Sequence, residues 1–511
     1  MRALRILVMQ LARLGDLVQT IPLLSRLRAI YPTARVNILT DRIGEPLLTG
    51  HPAVDEVIPI DLARLSHHLN QGSWMAYQQI TGLVKSLQQQ RYDLVLNINF
   101  SSLTRLLAYL LQVPQVLGYQ PTADGRGVIR SPWLTYIYAL VHARRFNRIN
   151  LVDVFRHLAP ASSFPELHQS LFGREDQPPW STSEPRLIAL QLGSRHSRRR
   201  WPVAFYASLS QRLIQEYDLR LLLLGIKDEC PLGEALLRAL PIAYRERVSN
   251  LQGRTSLAEL RDWLSQVQLL VTGDTGTMHL AAYLGVPVLA LFMGPALCFE
   301  TGPYGNGHYV LQAEPDCHPC AEAKDSCDHA GCRQMIRPEM AAAVIDHLLA
   351  GNPLSLDSAA WPGVQLYRSE IDALGVNYRP QLARPWTFVN LVGQAYRQAG
   401  QKLLGIDGPG LPPNSWGYLP SGSRREMLFR KLETFQQVLR QGNSQTAGEP
   451  ELREAMLPLA AFQQQLRRQA QWPSSLLPNS NADWDQYGAQ VKDSLCSSLQ
   501  GWLAQAKGMG K

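Results

Sequence analysis

Residues 273–279 read Gly-Asp-Thr-Gly-Thr-Met-His and join an apolar predicted strand to a predicted helix. Glycines in such a turn let backbone N–H groups approach a ligand, and the new helix directs the positive end of its dipole there. The segment therefore predicts a phosphate or diphosphate site, in which Asp274 caps the helix or accepts a hydrogen bond from a sugar hydroxyl. An ordinary helix start, capped by Asp274 and followed by a buried His279, would explain the same residues.

Two further predicted strands also end in polar residues. Residues 191–202 hold four arginines and a histidine in one loop, where a bound anion would relieve the repulsion between the cations. A solvated basic loop is the alternative. Residues 224–229 end on Glu229, a carboxylate that can accept hydrogen bonds from ribose hydroxyls.

The elements that would position these loops alternate between strand and helix. The alternation runs through residues 5–97 and restarts at 186, which is typical of α/β proteins with parallel sheets covered by helices. Residues 159–184 are rich in Pro, Ser, Glu and Gln and predict a linker. We expect two successive doubly wound domains facing a cleft, then a mostly helical region without strands after Gly351.

Composition excludes several classes of protein. The 511 residues include 45% apolar residues, and 50 Lys and Arg against 42 Asp and Glu leave a net charge of +8. This charge is divided evenly at Gly351, so no concentrated basic tail indicates nucleic-acid binding. The longest nearly apolar run, 286–299, is interrupted by proline and glycine and is shorter than the roughly 18 residues that a membrane span needs. With no signal-peptide pattern at the N-terminus, we expect a cytosolic protein.

Four of the seven cysteines cluster in residues 317–332, as Cys317, Cys320, Cys327 and Cys332. Two pairs of thiolates at short spacing can surround Zn or Fe tetrahedrally, although the second spacing is longer than usual. Free thiols are the alternative, since disulfides are rare in a reducing cytosol.

Several motifs in order resemble glycosyltransferase family 9, the ADP-heptose:lipopolysaccharide heptosyltransferases. They are Arg-Leu-Gly-Asp at 13–16 with Ile-Pro at 21–22, Trp-Pro at 201–202, residues 250–253, 273–282, 285–287 and 301–304. The resemblance covers residues 1 to about 350. It implies the GT-B fold and inverting transfer of heptose from ADP-heptose to an inner-core lipopolysaccharide sugar. It also implies that no metal is obligatory. The protein would act at the cytoplasmic face of the inner membrane, where peripheral contact with the membrane is possible.

The resemblance also assigns roles to residues. Asp16, beside Gly15, matches the general base, although a helix N-cap would explain it too. Arg199 stands where the family often has lysine, and its charge would offset that of the departing ADP. The remaining matches fall on the diphosphate, nucleoside and sugar pockets: Ser194, Arg195, Glu229, Asp274, Thr275, Gly276, Thr277 and His279.

These observations leave two alternatives to a lipopolysaccharide enzyme. A cysteine-rich segment also occurs in similar iron-binding heptosyltransferases that modify autotransporter proteins, so the acceptor could be a protein. A GT-B scaffold that binds a nucleotide or glycan without turnover is the other alternative. The predicted domains are an acceptor domain at 1–165, a nucleotide-sugar domain at 186–350 with the cysteine-rich segment 317–332, and an extension at 351–511 of unknown role.

Overall fold

The computed structural model describes residues 2–122, 126–159, 187–320, 327, 331–354, 357–407, 417–441, 449–470 and 483–508. The chain divides into two compact units. Unit 1 comprises Met1–Ala139, Leu151–Glu166 and Ala461–Gly488, and unit 2 comprises Leu140–Asn150, Leu167–Ala460 and Ala489–Lys511. The predicted linker at 159–184 lies outside the described residues, apart from Ala159.

Unit 1 is built on a six-stranded sheet. Its strands, in chain order, are β1 (Arg5–Gln10), β2 (Arg35–Asp41), β3 (Glu56–Ile60), β4 (Leu94–Asn97), β5 (Gln115–Pro121) and β6 (Gly127–Ile129). Their order across the sheet is β3-β2-β1-β4-β5-β6, and only β6 runs antiparallel to its neighbour. The almost fully buried residues of β1 and β4 explain why these strands read as continuous apolar runs.

Helices connect these strands, as the alternation predicted. They are α1 (Leu14–Ile30), α2 (Glu45–Leu48), α3 (Leu62–Gln71), α4 (Ser73–Gln90), α5 (Ser102–Leu111), α6 (Pro132–Leu140) and α7 (Leu151–Arg156). Near its C-terminal end the chain returns to this unit, where Phe462 packs edge-on against Tyr136 with ring centroids 5.5 Å apart.

Unit 2 contains an eight-stranded sheet. Its strands are β7 (Leu187–Gln191), β8 (Arg220–Leu224), β9 (Val248–Asn250), β10 (Leu269–Thr272), β11 (Val288–Phe292), β12 (Tyr309–Ala313), β13 (Val364–Ile371) and β14 (Val376–Pro380). Their order is β14-β13-β12-β11-β10-β7-β8-β9. Strands β7 to β12 are parallel, so both sheets confirm the predicted doubly wound α/β architecture.

The helices of unit 2 cover this sheet and extend beyond it. The first group is α8 (Val203–Tyr217), α9 (Cys230–Ala239), α10 (Ile242–Arg245), α11 (Leu257–Gln266), α12 (Gly276–Tyr283), α13 (Cys298–Thr301), α14 (Cys332–Met335) and α15 (Pro338–Ala350). The second group is α16 (Phe388–Leu403), α17 (Gly422–Gln441), α18 (Pro450–Ala470) and α19 (Asp483–Gly508); the last two contribute residues to both units. No helix in the described part of the chain is long and apolar enough to span a bilayer.

The prediction that strands are absent after Gly351 is wrong. Strands β13 and β14 form an antiparallel hairpin that pairs with β12 and extends the sheet. Their turn is held by Asp372, whose Oδ1 accepts hydrogen bonds from the backbone N–H groups of Leu374 and Gly375. The hairpin is part of the core, because Val364, Leu366 and Val376 are almost completely buried. The rest of the described extension is largely helical, as expected.

Candidate functional site

The chain reverses its direction of winding at the centre of the second sheet. Strands β7 and β10 are neighbours there, whereas β8 and β9 continue to one side and β11 and β12 to the other. In open α/β sheets such a switch point leaves a crevice at the carboxyl ends of the two central strands. The loops that follow β7 and β10 are the two that the sequence selected for an anion site.

An ion pair joins these two loops. The Arg199 Nη1 donates to Asp274 Oδ2 at 2.5 Å, and the two side chains are only 12% and 7% exposed. Asp274 is therefore not the cap of α12. The cap is Thr275, whose Oγ1 accepts from the Met278 backbone N–H at 3.3 Å, so the helix-cap explanation of Asp274 is wrong.

His279 lies close to this ion pair, with its Nε2 at 4.0 Å from Asp274 Oδ1. Burial lowers the pKa of His279 to about 3, so the ring is neutral at pH 7. The charge of Asp274 is consequently balanced by Arg199 and not by His279. A neutral imidazole in this place can donate or accept one hydrogen bond without adding a charge.

Glu229 occupies the next strand end, in a short helical turn after β8. Its Oε2 accepts from Gln191 Nε2 at 2.8 Å and from the Ile226 backbone N–H at 3.1 Å. Two glycines make room for the carboxyl group, because a Cβ at Gly193 would lie 1.9 Å from Oε1 and a Cβ at Gly225 would lie 2.5 Å from Oε2. Since both of these hydrogen bonds use Oε2, Oε1 is the atom that can accept from a ligand hydroxyl.

Gln191, the last residue of β7, links the two halves of this site. Besides donating to Glu229, it accepts a hydrogen bond through Oε1 from Thr277 Oγ1 at 3.3 Å. Gln191 was not among the predicted site residues. The available signal was a buried polar residue that ends an otherwise apolar strand.

Gln252 is a second residue that the sequence reasoning missed. Its side chain is 2% exposed, and neither amide atom has a hydrogen-bond partner in the described part of the chain. It lies beside Gly225, and therefore close to Glu229. A buried amide without partners is costly, so this is a place where a ligand with complementary polar groups would be stabilising. The only signal was its position in the motif at 250–253.

The basic loop is anchored at both ends. Ser194 is buried and its carbonyl accepts from Arg200 Nε at 2.8 Å, whereas Arg195 is exposed to solvent. Trp201 closes the loop, since its buried ring donates from Nε1 to the Ile336 carbonyl at 2.8 Å. The alternative of a wholly solvated basic loop is therefore wrong for Arg199, which lies in the site.

Asp16 belongs to unit 1 and lies in the first turn of α1, directly after β1 and beside Gly15. Strands β1 and β4 are the central neighbours of that sheet, so Asp16 is at its switch point. The side chain is half-buried, and Oδ2 accepts from the Arg13 backbone N–H at 3.2 Å. Asp16 is therefore the N3 residue of a capping box and not the N-cap, which is Arg13, and this hydrogen bond holds the carboxylate at the carboxyl edge of the sheet.

None of the four clustered cysteines forms a disulfide bond in the described part of the chain. Burial, and then the neighbouring thiols of the cluster, raise the pKa of Cys320 and Cys332. No group of three or more His, Cys, Asp or Glu side chains in the described ranges is arranged to hold a metal ion. The structure therefore does not confirm the predicted metal site at these cysteines.

Comparisons with known proteins identify relatives of this chain in sequence and in fold. Residues 80–330 match the family model for glycosyltransferase family 9, the heptosyltransferases. The lipopolysaccharide heptosyltransferase 1 of Pseudomonas aeruginosa is 27% identical over 344 residues, which cover 64% of this chain and 88% of that protein. The lipopolysaccharide heptosyltransferase 2 of Salmonella typhimurium is 26% identical over 321 residues, with 60% and 88% covered. A solved structure of E. coli heptosyltransferase WaaC with ADP covers 68% of this chain and all of that one, with 17% identity and a TM-score of 0.51.

Two doubly wound sheets, together with this structural likeness, define the GT-B fold. Residues 80–330 form a domain of glycosyltransferase family 9, the heptosyltransferases, and the chain is a glycosyltransferase. The predicted fold class, family and enzyme class are thereby confirmed.

Proposed function

We propose that the protein transfers heptose from ADP-heptose to an inner-core lipopolysaccharide sugar, with inversion at the anomeric carbon. The curated relatives named above are lipopolysaccharide heptosyltransferases. The observation that carries the proposal is the cluster of Arg199, Asp274 and Glu229 at one switch point of unit 2. As the family resemblance implies, no step is assigned to a metal ion.

In this proposal unit 2 binds the donor. The diphosphate lies beside Arg199 and the start of α12, where positive charge offsets the charge that builds up on ADP as the glycosidic bond breaks. Pairing with Asp274 fixes the orientation of the guanidinium. Glu229 accepts from a ribose hydroxyl through Oε1, and neutral His279 adds no charge next to the sugar.

Asp16 is the proposed general base. An inverting displacement needs a carboxylate that removes the proton of the acceptor hydroxyl on the face opposite the leaving group. The hydrogen bond from the Arg13 backbone N–H holds Asp16 in place while the group remains half-buried and accessible.

The mechanism is tested with Asp16→Asn in a turnover assay with ADP-heptose. We expect kcat to fall about 10²- to 10⁴-fold, whereas ADP affinity is unchanged because the proposed donor residues belong to unit 2. Asp61→Asn is the matched control, since Asp61 caps α3 of the same unit through a 2.8 Å hydrogen bond from the Arg64 backbone N–H. A fully active Asp16→Asn variant would remove Asp16 as the base.

The donor is tested by thermal unfolding with ADP, ADP-heptose, UDP-sugars and GDP-sugars. A ligand at about one hundred times its dissociation constant adds roughly 2.7 kcal/mol to the stability. We expect this stabilisation with ADP and ADP-heptose alone. Stabilisation by another nucleotide would show that the donor is not ADP-heptose. Transfer of heptose to a protein instead of a core oligosaccharide would show that the acceptor is a protein.

We also propose that unit 1 contacts an anionic membrane surface while it binds a lipid-linked acceptor at the cytoplasmic face. Residues at the corner between α3 and α4 are large, apolar and 49–66% exposed: Leu69, Trp74, Met75 and Tyr77. Residues 62–139, all in unit 1, include six Lys and Arg but only two acidic residues, Asp93 and Asp124. Exposed Trp and Tyr in a basic region are typical of binding at the interface of an anionic bilayer.

Vesicle sedimentation tests this contact. The full chain should bind phosphatidylglycerol-containing vesicles more tightly than pure phosphatidylcholine vesicles, and a Trp74→Ser/Tyr77→Ser double variant should bind several-fold more weakly. Ile242→Ser removes a similarly exposed apolar residue from unit 2 and serves as the control. Equal binding by the double variant and the wild type would exclude this surface.

A further inference from the structure

Unit 2 contains a cavity of about 630 Å³ that none of the predicted donor residues lines. Its walls combine the ends of β12 to β14 with helices α16 and α17 of the extension. This volume is within the range of small-molecule sites. Aromatic side chains form much of the wall, among them Phe299, Tyr367, Tyr378 and Trp386.

A buried cation contributes to this wall. Arg148 is 5% exposed, its guanidinium lies over the Phe299 ring at 4.1 Å, and its Nη1 donates to the carbonyls of Arg145 and Asn147 at 2.8 Å. In the described part of the chain no carboxylate is within ion-pair distance of Arg148. Burial lowers the pKa of Arg148, because a buried charge without an ion-pair partner is costly and the more distant carboxylates of Glu314 and Glu300 offset that cost only in part.

Five cations, Arg145, Arg148, Arg384, Arg424 and Lys431, line the cavity against three acidic residues, Glu314, Asp316 and Glu451. Glu314 accepts a hydrogen bond from the Tyr367 hydroxyl at 2.8 Å, and burial raises the pKa of Glu314, which favours its neutral form. Glu451 is paired with Lys431 at 2.5 Å.

Two further arginines add positive charge to the wall. Among the described residues, Arg384 donates only to backbone carbonyls, those of Trp361 and Val364. Arg424, on α17, makes no hydrogen bond or ion pair with the described residues. The cavity is therefore aromatic and positively charged.

We propose that this cavity is a second ligand site, which binds an anionic group, a phosphate or a carboxylate, carried on a ring-shaped body. The anion would lie near Arg148, Arg384 and Arg424, and the ring would contact the aromatic walls. A charge-assisted hydrogen bond to a guanidinium is among the stronger polar contacts, and aromatic walls favour flat partners. The extension thereby acquires a role, since α16 and α17 supply one side of the site.

Isothermal titration of the full chain tests the proposal with phenyl phosphate, benzoate and neutral benzamide, each with and without saturating ADP. ADP itself carries phosphates on ring-shaped groups, so only the two series together separate binding at the proposed donor site from binding in this cavity. We expect saturable binding of at least one of the two anions and no binding of benzamide. A preference for phenyl phosphate or for benzoate would decide between a phosphorylated and a carboxylated ligand.

Variants locate the site. Arg424→Gln should weaken binding of the anion about five- to tenfold, because it removes one cation from the wall. Arg430→Gln changes an exposed arginine on the same helix that does not line the cavity, and it should have no effect. Arg148→Met should abolish binding, and where that variant fails to fold the Arg424 and Arg430 pair still decides. No saturable binding of either anion, equal binding of benzamide, or identical effects of the two helix variants would overturn the proposal.

Discussion

Arg199 and Asp274 each depend on the other for charge compensation in a poorly solvated place. Arg199→Met would leave the Asp274 carboxylate buried without its partner, and we expect a loss of about 3–5 kcal/mol in the free energy of unfolding. Arg212→Met is the control, because the Arg212–Glu216 pair is exposed and is expected to contribute about 0–1 kcal/mol. Urea denaturation of both variants measures the free energy of unfolding. Equal losses would show that the buried pair stabilises the protein no more than the exposed pair does.

Gly193 tests the close contact at Glu229. A Cβ at this position would lie 1.9 Å from the Glu229 carboxyl group, so Gly193→Ala should displace that group and weaken ADP binding about tenfold or more. Gly82→Ala is the matched control, since nothing lies within 4 Å of its added Cβ and it is inside α4. That control should stabilise the protein by up to about 1 kcal/mol. Titration with ADP reports the first effect, and unchanged affinity would exclude this role of Gly193.

At the scale of single residues, the sequence indicated which strand ends carry polar groups but not which side chains meet. The charges of Arg199 and Asp274 were evident, whereas their mutual contact spans 75 positions and depends on β7 lying beside β10. Gln252 was missed because its significance is its burial without a partner, and burial of a polar side chain cannot be read from local pattern.

Trp201 shows how one element anchors another. Its ring is buried against Tyr206 at 4.7 Å, and its Nε1 ties the end of the basic loop to the residue two before α15. Trp201→Phe keeps most of the packing but loses the hydrogen bond, so we expect a destabilisation of about 1–3 kcal/mol. Because the loop that carries Arg199 is then less firmly held, the KM for the donor should rise. Steady-state kinetics checks this, and an unchanged KM would limit Trp201 to a role in stability.

Among the elements, the parallel strands were predictable because burial on both faces produces continuous apolar runs. The β13–β14 hairpin was not predicted because its strands carry charged and polar residues such as Arg368, Glu370 and Arg379, which hide the alternation. The residues 372–375, Asp-Ala-Leu-Gly, were the usable turn signal.

The dependence of the whole protein's stability on pH should reflect its buried histidines. Burial lowers the pKa of His279 to about 3 and that of His308 and His318 to about 4, from 6.5 in the unfolded chain. Between those values the unfolded chain binds protons that the folded chain does not. The stability is therefore fully present above about pH 6.5 and is lost as the pH falls towards 4, by up to about 1.4 kcal/mol per pH unit for each group.

His308→Leu should flatten this slope, because both ring nitrogens of His308 are buried without a hydrogen-bond partner among the described residues. The exposed His67→Leu change is the control and should leave the slope as it is. Denaturation at pH 7, 6, 5 and 4 gives both slopes. A His308→Leu slope equal to that of the wild type would mean that His308 is protonated in the folded protein.

Truncation tests how the extension supports the rest of the molecule. A chain of residues 1–350 lacks β13 and β14, which leaves the edge of β12 unpaired and exposes the core around Leu366. We expect this chain to be insoluble, whereas residues 1–384 keep the eight-stranded sheet and should be more soluble. Equal yields of soluble protein from both would show that the hairpin is dispensable.

The contribution of Ala461–Gly488 to unit 1 has a consequence for biosynthesis. The segment up to Ala139 leaves the ribosome early, yet the aromatic contact of Tyr136 needs Phe462, which is made more than 300 residues later. At translation rates of roughly 5–20 residues per second, the first unit waits for tens of seconds with part of its surface uncovered. The nascent chain is therefore a natural client for chaperones, because the first unit made is completed only after most of unit 2 has been synthesised.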